Sequence, residues 1–468
     1  MTENALRRFF MLWATAALAA ASAGVGVMLA TARAEGVALA VLPVVVVAIG
    51  ALIASNRAVL VFVAFALCLL APLPVSDPLP LQGIQVYPAD VLVVLAVASW
   101  AAAWLVNPKQ ARPSTPHTKL LGWPLLLFGV TLVAAVMRGH ERYGESLFSL
   151  PLRFVLYAGI AFAISDLKPR DAYRWLVVVF YAGTLWQTGV AIRGYATGTS
   201  ATDQIVLSTG GERVLAGSTA MFMAGALLLA LLNLEFQRSS RKAALHLLMA
   251  LLATFALVST FQRTTFAIAS ILVPIALLAF RRIGLRAAVY VPLIAPFAVL
   301  VALLVPKVEP TFLPTFADRV TASPSTDATA QWRLKAYSAV WGQVRDAPLT
   351  GVGFGQPVRF IANNAHYDVG QDPHNQFLFL WAGGGLLLFG SFLLLLAVNL
   401  LEAWSRFRGA SVEDRRLIYW CMSLWFVFIV NSLTGIILTR PELLLVFWIL
   451  MLLPTTVRHR EGDLARPG

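Results

Sequence analysis

Charge is what this chain has least of. Asp, Glu, Lys and Arg make up only 13% of its 468 residues, against 59% hydrophobic, whereas water-soluble domains carry about a quarter charged residues. That shortage excludes an ordinary soluble fold. Cysteine is nearly absent. Cys68 and Cys421 both stand inside apolar runs, so they offer neither a disulfide framework nor a metal-ligand spacing and read as small core residues. Apolar–polar alternation over ten-residue stretches is also missing, which argues against an outer-membrane barrel. There is no internal repeat, no low-complexity tract, and no cluster of His, Cys or carboxylates at metal-binding spacing.

What the chain has in abundance is long apolar runs. Stretches of ~18 residues or more recur along nearly its whole length, each able to cross a hydrocarbon layer of ~30 Å as a helix. Hydrocarbon offers no water to backbone N–H and C=O groups, so each segment must pair its own, which helices do. The expected fold is all-α, a polytopic membrane helical bundle. Spans are expected at 9–30, 37–54, 58–73, 89–106, 120–137, 149–165, 175–192, 215–234, 244–260, 264–280, 287–305, 375–404, 417–437 and 441–457. Broken pairs near Arg57 and Arg440 would reduce these 14 transmembrane helices to 12. The first run follows Arg7-Arg8 like a signal peptide, but at about 22 residues it exceeds the 7–15 of a cleavable core and reads as an uncleaved span.

Lys and Arg give the sidedness. With the N-terminus cytoplasmic, the cytoplasmic segments gather 22 of the 36 Lys and Arg against nine acidic residues, and on the other face 14 cations meet 14 anions. The net charge of +13 is therefore positive-inside bias and implies no nucleic acid partner. Both termini fall in the cytoplasm, and one long connection falls outside. The expected organisation is a bundle over 1–305, a large periplasmic loop domain over 306–374, and C-terminal helices with a cytoplasmic tail over 375–468. Connections of that length are uncommon unless they are functional.

Within the long loop, residues 328–346 form an amphipathic pattern, with Trp332, Ala336, Val340 and Val344 at four-residue intervals and Asp327 as N-cap. Such a helix either lies in the membrane interface or packs on the bundle as a lid. Gly351, Gly353 and Gly355 then alternate with Val352 and Phe354, a pattern that allows tight turns and close backbone approach. Asp372 as N-cap and Pro373 as first helical residue would put His374 in the first turn of the next span. The helix dipole there favours the neutral imidazole that a general base needs, while Asp372 opposes it.

Arginines stand at the same boundary: Arg263 in the turn Phe261-Gln262-Arg263, Arg213 before the span at 215, and Arg153 just inside the span at 149. Charge at membrane depth costs ~2.5–3.5 kcal/mol on insertion scales, so it points to function. Snorkelling to headgroup phosphates, or pairing with Glu141, Glu145 or Glu212, is the plainer account. Twelve of the 14 outer cations are Arg, whose planar fork suits phosphate.

The order Arg333, Trp341, Pro348, Gly351-Val352-Gly353-Phe354-Gly355, His374-Asn375, Leu378 and Gly383-Gly384-Gly385, with Arg213 and Arg263 upstream, resembles the O-antigen ligase/O-antigen polymerase superfamily over about residues 205–400. The resemblance implies a GT-C-like, all-helical glycosyltransferase acting at the periplasmic face of the bacterial inner membrane. Its donor would be O-antigen on undecaprenyl pyrophosphate, and its acceptor a sugar hydroxyl of lipid A–core oligosaccharide. Carried over by position, Arg213 and Arg263 would clamp the pyrophosphate and His374 would deprotonate or orient the acceptor hydroxyl. Arg153, Arg193, Arg333 and Asn375 complete the expected substrate contacts. The first outer loop, Thr31 to Gly36, holds one carboxylate and no Asp-x-Asp, unlike many lipid-using GT-C enzymes. A metal-independent reaction without a cofactor follows. One dominant outer loop favours ligase over polymerase, with a protein O-oligosaccharyltransferase as a further relative. From another class, a glycan transporter or flippase would need mid-membrane polar groups, for which Gln187 and Asn431 are the candidates.

Overall fold

The computed structural model describes most of residues 57–106, 118–197, 214–272, 328–435 and 441–457. The spans expected at 9–30, 37–54 and 287–305, the start of the long loop and Asp327 lie outside the described residues.

In chain order the elements are α1 (Arg57–Leu69), a hairpin of β1 (Leu79–Leu81) and β2 (Ile84–Val86), α2 (Pro88–Val106), α3 (Thr118–Tyr143), α4 (Leu150–Ala158), α5 (Pro169–Thr197), α6 (Gly217–Phe236) and α7 (Ser240–Ser259). They continue with α8 (Ala328–Asp346), a second hairpin of β3 (Arg359–Ala362) and β4 (Ala365–Asp368), then α9 (Gln376–Gly409), α10 (Val412–Ser432) and α11 (Pro441–Leu452), which runs into a 3-10 turn at Leu453–Thr456. The fold is an all-α, polytopic membrane bundle carrying two short hairpins that the sequence did not announce.

Two helices show why the solvent is lipid. Helix α6 is apolar on every side, the pattern of a helix enclosed by others, and 89% of its 18-residue stretch Gly217–Leu234 is buried. Helix α3 is only 33% buried over its apolar stretch, and it presents Leu126, Leu127, Val130, Val133 and Met137 outward. Such a stripe is untenable in water and at home in acyl chains. Five described helices are long and apolar enough to cross a membrane: α3, α5, α6, α7 and α9. The apolar parts of α1, α2 and α11 are shorter.

The centre is aromatic. Phe154 of α4, Phe392 of α9, Trp425 of α10 and Phe447 and Trp448 of α11 pack together, with ring centroids 4.9 Å apart for Phe154–Trp448 and 5.0 Å for Trp425–Phe447. Polar side chains in this apolar setting answer to backbone carbonyls. Trp448 donates to Phe154 O at 3.1 Å, Trp420 to Gly225 O at 2.9 Å, and Asn399 to Met451 O at 2.7 Å. Gln187 donates to Leu69 O at 2.8 Å, at the end of α1. Asn431 donates to Val427 O at 2.8 Å within its own helix and accepts from Thr265, beyond α7, at 3.0 Å. Both residues singled out as possible transport groups therefore serve helix packing.

Helix α9 is broken. Gly385 has φ 71° and ψ −170°, so the helical ladder is interrupted there. The loop after α8 replaces the lost bonds: Val352 N–H donates to Ala382 O at 2.8 Å, Gly353 N–H donates to Gly383 O at 3.0 Å, and Leu386 N–H donates to Pro348 O at 2.9 Å. The alternating glycines make this possible, with φ of 70°, 95° and 106° at Gly351, Gly353 and Gly355. The backbones touch. A Cβ on Gly385 would stand 2.2 Å from Leu349 O, and one on Gly139 of α3 would stand 2.0 Å from Phe354 O.

Gly385→Ala and Gly139→Ala should each cost about 1–3 kcal/mol through overpacking, read as a lower thermal midpoint of the detergent-purified protein. Gly122→Ala and Gly129→Ala, whose Cβ atoms would meet nothing within 4 Å, should leave that midpoint in place.

Candidate functional site

The site is built around the end of α10. The carbonyl of Leu433, just past that helix, accepts from Tyr337 of α8 at 2.7 Å and from the Asn375 side-chain amide at 3.2 Å. The Asn375 Oδ1 in turn accepts from Phe377 N and Leu378 N, each at 3.0 Å. Asn375 is thus the N-cap of α9, an arrangement worth ~1 kcal/mol, and its amide ties that helix start to α10. This corrects the expected helix start at Asp372 and Pro373: the first helical residue is Gln376. Asn side chains satisfy N-terminal amides as readily as Asp does, and the neighbouring α10 carbonyl selects the residue that can also donate.

His374 consequently stands before the helix and not in its first turn. The dipole argument for a neutral imidazole loses its geometric basis, since the Phe377 and Leu378 amides point at Asn375. The His374 backbone is instead left-handed, with φ 52°, alone among the described non-glycine residues. Its carbonyl lies 3.2 Å from the Tyr337 hydroxyl, and its half-buried ring meets Trp332 edge-on at 4.8 Å. Helix α8, expected from its four-residue apolar spacing, positions all of this. Trp332, Ala336, Val340 and Val344 are buried against α9 and the second hairpin.

The described residues next to Arg263 in the chain reach the same place. Thr260 ends α7 and accepts from Gln262 N at 3.2 Å, and Thr265 donates to Asn431 Oδ1 at 3.0 Å, two residues before Leu433. Val214 and Leu215 are buried at the entry to α6, the neighbour of α7. Arg213 and Arg263 themselves lie outside the described residues, but the chain positions flanking them lie at the bundle end that holds His374. Arg333 is half-buried on α8, beside Trp332, and Arg193 is exposed one turn before the end of α5.

Arg153 is engaged elsewhere. It pairs with Asp90 at 3.0 Å, and its guanidinium lies 4.9 Å over the Tyr87 ring. Asp90 also accepts from Tyr157 at 2.8 Å and from Tyr87 N at 2.9 Å. The carboxylate that pairs with Arg153 comes from the first turn of α2, a partner the sequence reading had not named; Glu145 and Glu212 lie outside the described residues. The reason is burial: both partners are about one-tenth exposed, and a buried charge requires a buried counter-charge.

Two arginines missed by sequence reasoning hold the glycine loop. Arg138 donates to the carbonyls of Thr350 and Gly351, and Arg142 to Val352 O at 3.3 Å. Tyr143, on the same helix end, donates to Gln356 Oε1 at 3.1 Å. Their signal was the four-residue spacing of Arg138 and Arg142 at the outer end of a span, which puts both on one helix face. Among the described residues, no three His, Cys, Asp or Glu side chains gather as a metal site requires.

Residues 247–393 match the family model described as O-Antigen ligase. The matched stretch contains most of α7, the Arg263 turn, α8, the glycine loop, His374 and the break in α9. The chain is thus similar to the O-antigen ligase family over just under a third of its length. No curated relative matches it. The matched stretch therefore includes the groups that donate to Leu433 and Asn431, whereas those two acceptors, α10, and Arg153 with its partners lie outside it.

Arg153→Met would leave Asp90 buried without its counter-charge and should cost ~3–5 kcal/mol, seen as loss of the protein from the membrane fraction. Adding Asp90→Asn should restore folded protein. Sugar transfer by that double variant would assign Arg153 a purely structural role, and a folded but inactive double variant would assign it a substrate contact.

Proposed function

We propose that this protein is an O-antigen ligase with a GT-C-like arrangement, working from the periplasmic face of the inner membrane with both termini in the cytoplasm. It transfers O-antigen polysaccharide from undecaprenyl pyrophosphate to a sugar hydroxyl of lipid A–core oligosaccharide. The observation that carries this reading is the convergence at the end of α10, where Leu433 accepts from Asn375, next to His374, and from Tyr337, while Asn431 accepts from Thr265, two residues past Arg263.

In this reading the acceptor oxygen attacks the anomeric carbon of the donor sugar. The bond from that carbon to the pyrophosphate oxygen breaks, and the hydroxyl proton passes to His374. Arg213 and Arg263 neutralise the negative charge that grows on the departing pyrophosphate, taking the role a metal ion fills in other lipid-dependent transferases. Arg193 and Arg333 supply further phosphate contacts. The left-handed backbone of His374 fits this assignment, because a non-glycine residue there costs on the order of 1–3 kcal/mol and such strain gathers at functional sites. Asn375 contributes by fixing the helix start next to His374, and Arg153 by fixing the bundle.

Deleting the gene should leave bare lipid A–core on a lipopolysaccharide gel while polymerised O-antigen accumulates on its carrier lipid. Single O-units on core would instead identify a polymerase, and loss of a glycan from a protein alone a protein transferase. His374→Ala and Arg263→Ala should insert at wild-type levels with transfer reduced by about 10²-fold or more. A chelator should leave transfer by the purified protein unchanged, and strong inhibition would overturn the metal-free assignment.

A further inference from the structure

Helix α8 has an inner face that is apolar and an outer face that mixes apolar with polar residues. The inner one, Trp332 to Val344, is buried against α9 and the second hairpin. The opposite face carries Leu334 and Trp341, seven residues apart and so on one side of the helix. They are 61% and 39% exposed. In water that face would be polar. Arg345 continues the same side toward the helix end, and Lys335 is exposed beside it.

This outward face does not stand alone. Trp341 meets Trp381 of α9 edge-on at 5.3 Å, and Trp381 stacks on Phe389 at 4.9 Å. Below the break, α9 turns Leu386, Leu387, Leu393 and Leu394 outward, the flank of a membrane-crossing helix. Leu349, 62% exposed, sits against the break itself through its carbonyl. The apolar strip thus runs from the outward side of α9 across the tryptophan pair to Trp341 of α8, with Leu334 two turns further along that helix.

We propose that the outer face of α8 is seated in the membrane interface, on phospholipids of the leaflet that bounds this end of the bundle. Leu334 and Leu349 enter the upper acyl region, the Trp341–Trp381 pair lies at headgroup depth, and Lys335 and Arg345 meet lipid phosphates. Continuity with the lipid-facing flank of α9 selects lipid as the occupant, and the two cations give the charge that a phosphate-bearing surface attracts. Because the His374 ring rests on Trp332 of the same helix, this seating fixes the imidazole at the height of the headgroup phosphates. The claim concerns membrane contact and stands independently of which sugars are transferred.

The test uses the full-length chain with Cys68 and Cys421 replaced by alanine and reconstituted in phosphatidylethanolamine/phosphatidylglycerol vesicles. Nitroxide labels are placed on Leu334→Cys, Leu349→Cys and, as the water-facing control in the same loop domain, His366→Cys. Collision of each label with oxygen and with a water-soluble nickel chelate is measured by electron paramagnetic resonance. The labels at 334 and 349 should show an oxygen-to-nickel ratio several-fold above that at 366. Ratios equal to the control would place the face in water, and shielding from both reagents would put protein, such as a second copy, on it. Either result overturns the proposal. All three positions are exposed or at the surface, so the labelled proteins should elute as the unlabelled one does, and two independent sites guard against a single local distortion.

Discussion

The rest of the structure depends on one exchange of hydrogen bonds, that between the broken helix α9 and the glycine loop that follows α8. A helix interrupted within a membrane bundle leaves backbone groups that lipid cannot satisfy. Here the Val352 and Gly353 amides donate to the carbonyls of Ala382 and Gly383, and Leu386 donates to Pro348 O. The approach is so close that only glycine fits at Gly385. Arg138, Arg142 and Trp381 then engage the outward carbonyls of the same loop. The loop is therefore part of the bundle's backbone pairing, and the short helical piece from Gln376 to Gly384 becomes a separate unit fixed at both ends, by Asn375 above and by the loop below.

That unit explains how the backbone around His374 is held in place. His374 is attached to its upper end, supported by Trp332 and Tyr337 of α8. Tyr337 and Asn375 share the Leu433 carbonyl, so α8, α9 and α10 meet at one atom. The junction is made of neutral hydrogen bonds alone. Buried charges are used elsewhere as fasteners. Asp90 and Arg153 join α2 to α4, while Arg406, 2% exposed, pairs with Glu402 at 2.6 Å and donates to the carbonyls of Thr455 and Val457. Arg406 counted in the sequence as one more positive-inside cation. In the structure it closes the C-terminal turn.

Much of this was legible in the residues. Apolar length gave the helices, the four-residue spacing of Trp332, Ala336, Val340 and Val344 gave α8 with its buried stripe, and the alternating glycines gave a loop of close backbone contact. What the glycines approach could not be read, because the partner lies about 30 residues on in a run that looks like uninterrupted helix. Gly383-Gly384-Gly385 is compatible with either a packed or a broken helix, and tertiary hydrogen bonding decides. The N-cap was misassigned for a similar reason. Asp372-Pro373 is a sound local start signal, but Asn375 alone can cap α9 and donate to Leu433 together. Arg153 was read from its depth as a ligand group, and only the third dimension supplies Asp90, 63 residues earlier in the chain.

The central claim is that the glycine loop is hydrogen-bonded into the break of α9 and so anchors the piece that bears His374. Hydrogen–deuterium exchange of the protein in lipid nanodiscs, followed on peptides spanning 349–356 and 382–388, tests it most directly. The amides of Val352, Gly353 and Leu386 should exchange as slowly as those of the membrane-crossing helices. Exchange at the rate of an exposed surface loop would contradict the account, since the break would then be open and the piece that bears His374 would be held at its upper end only.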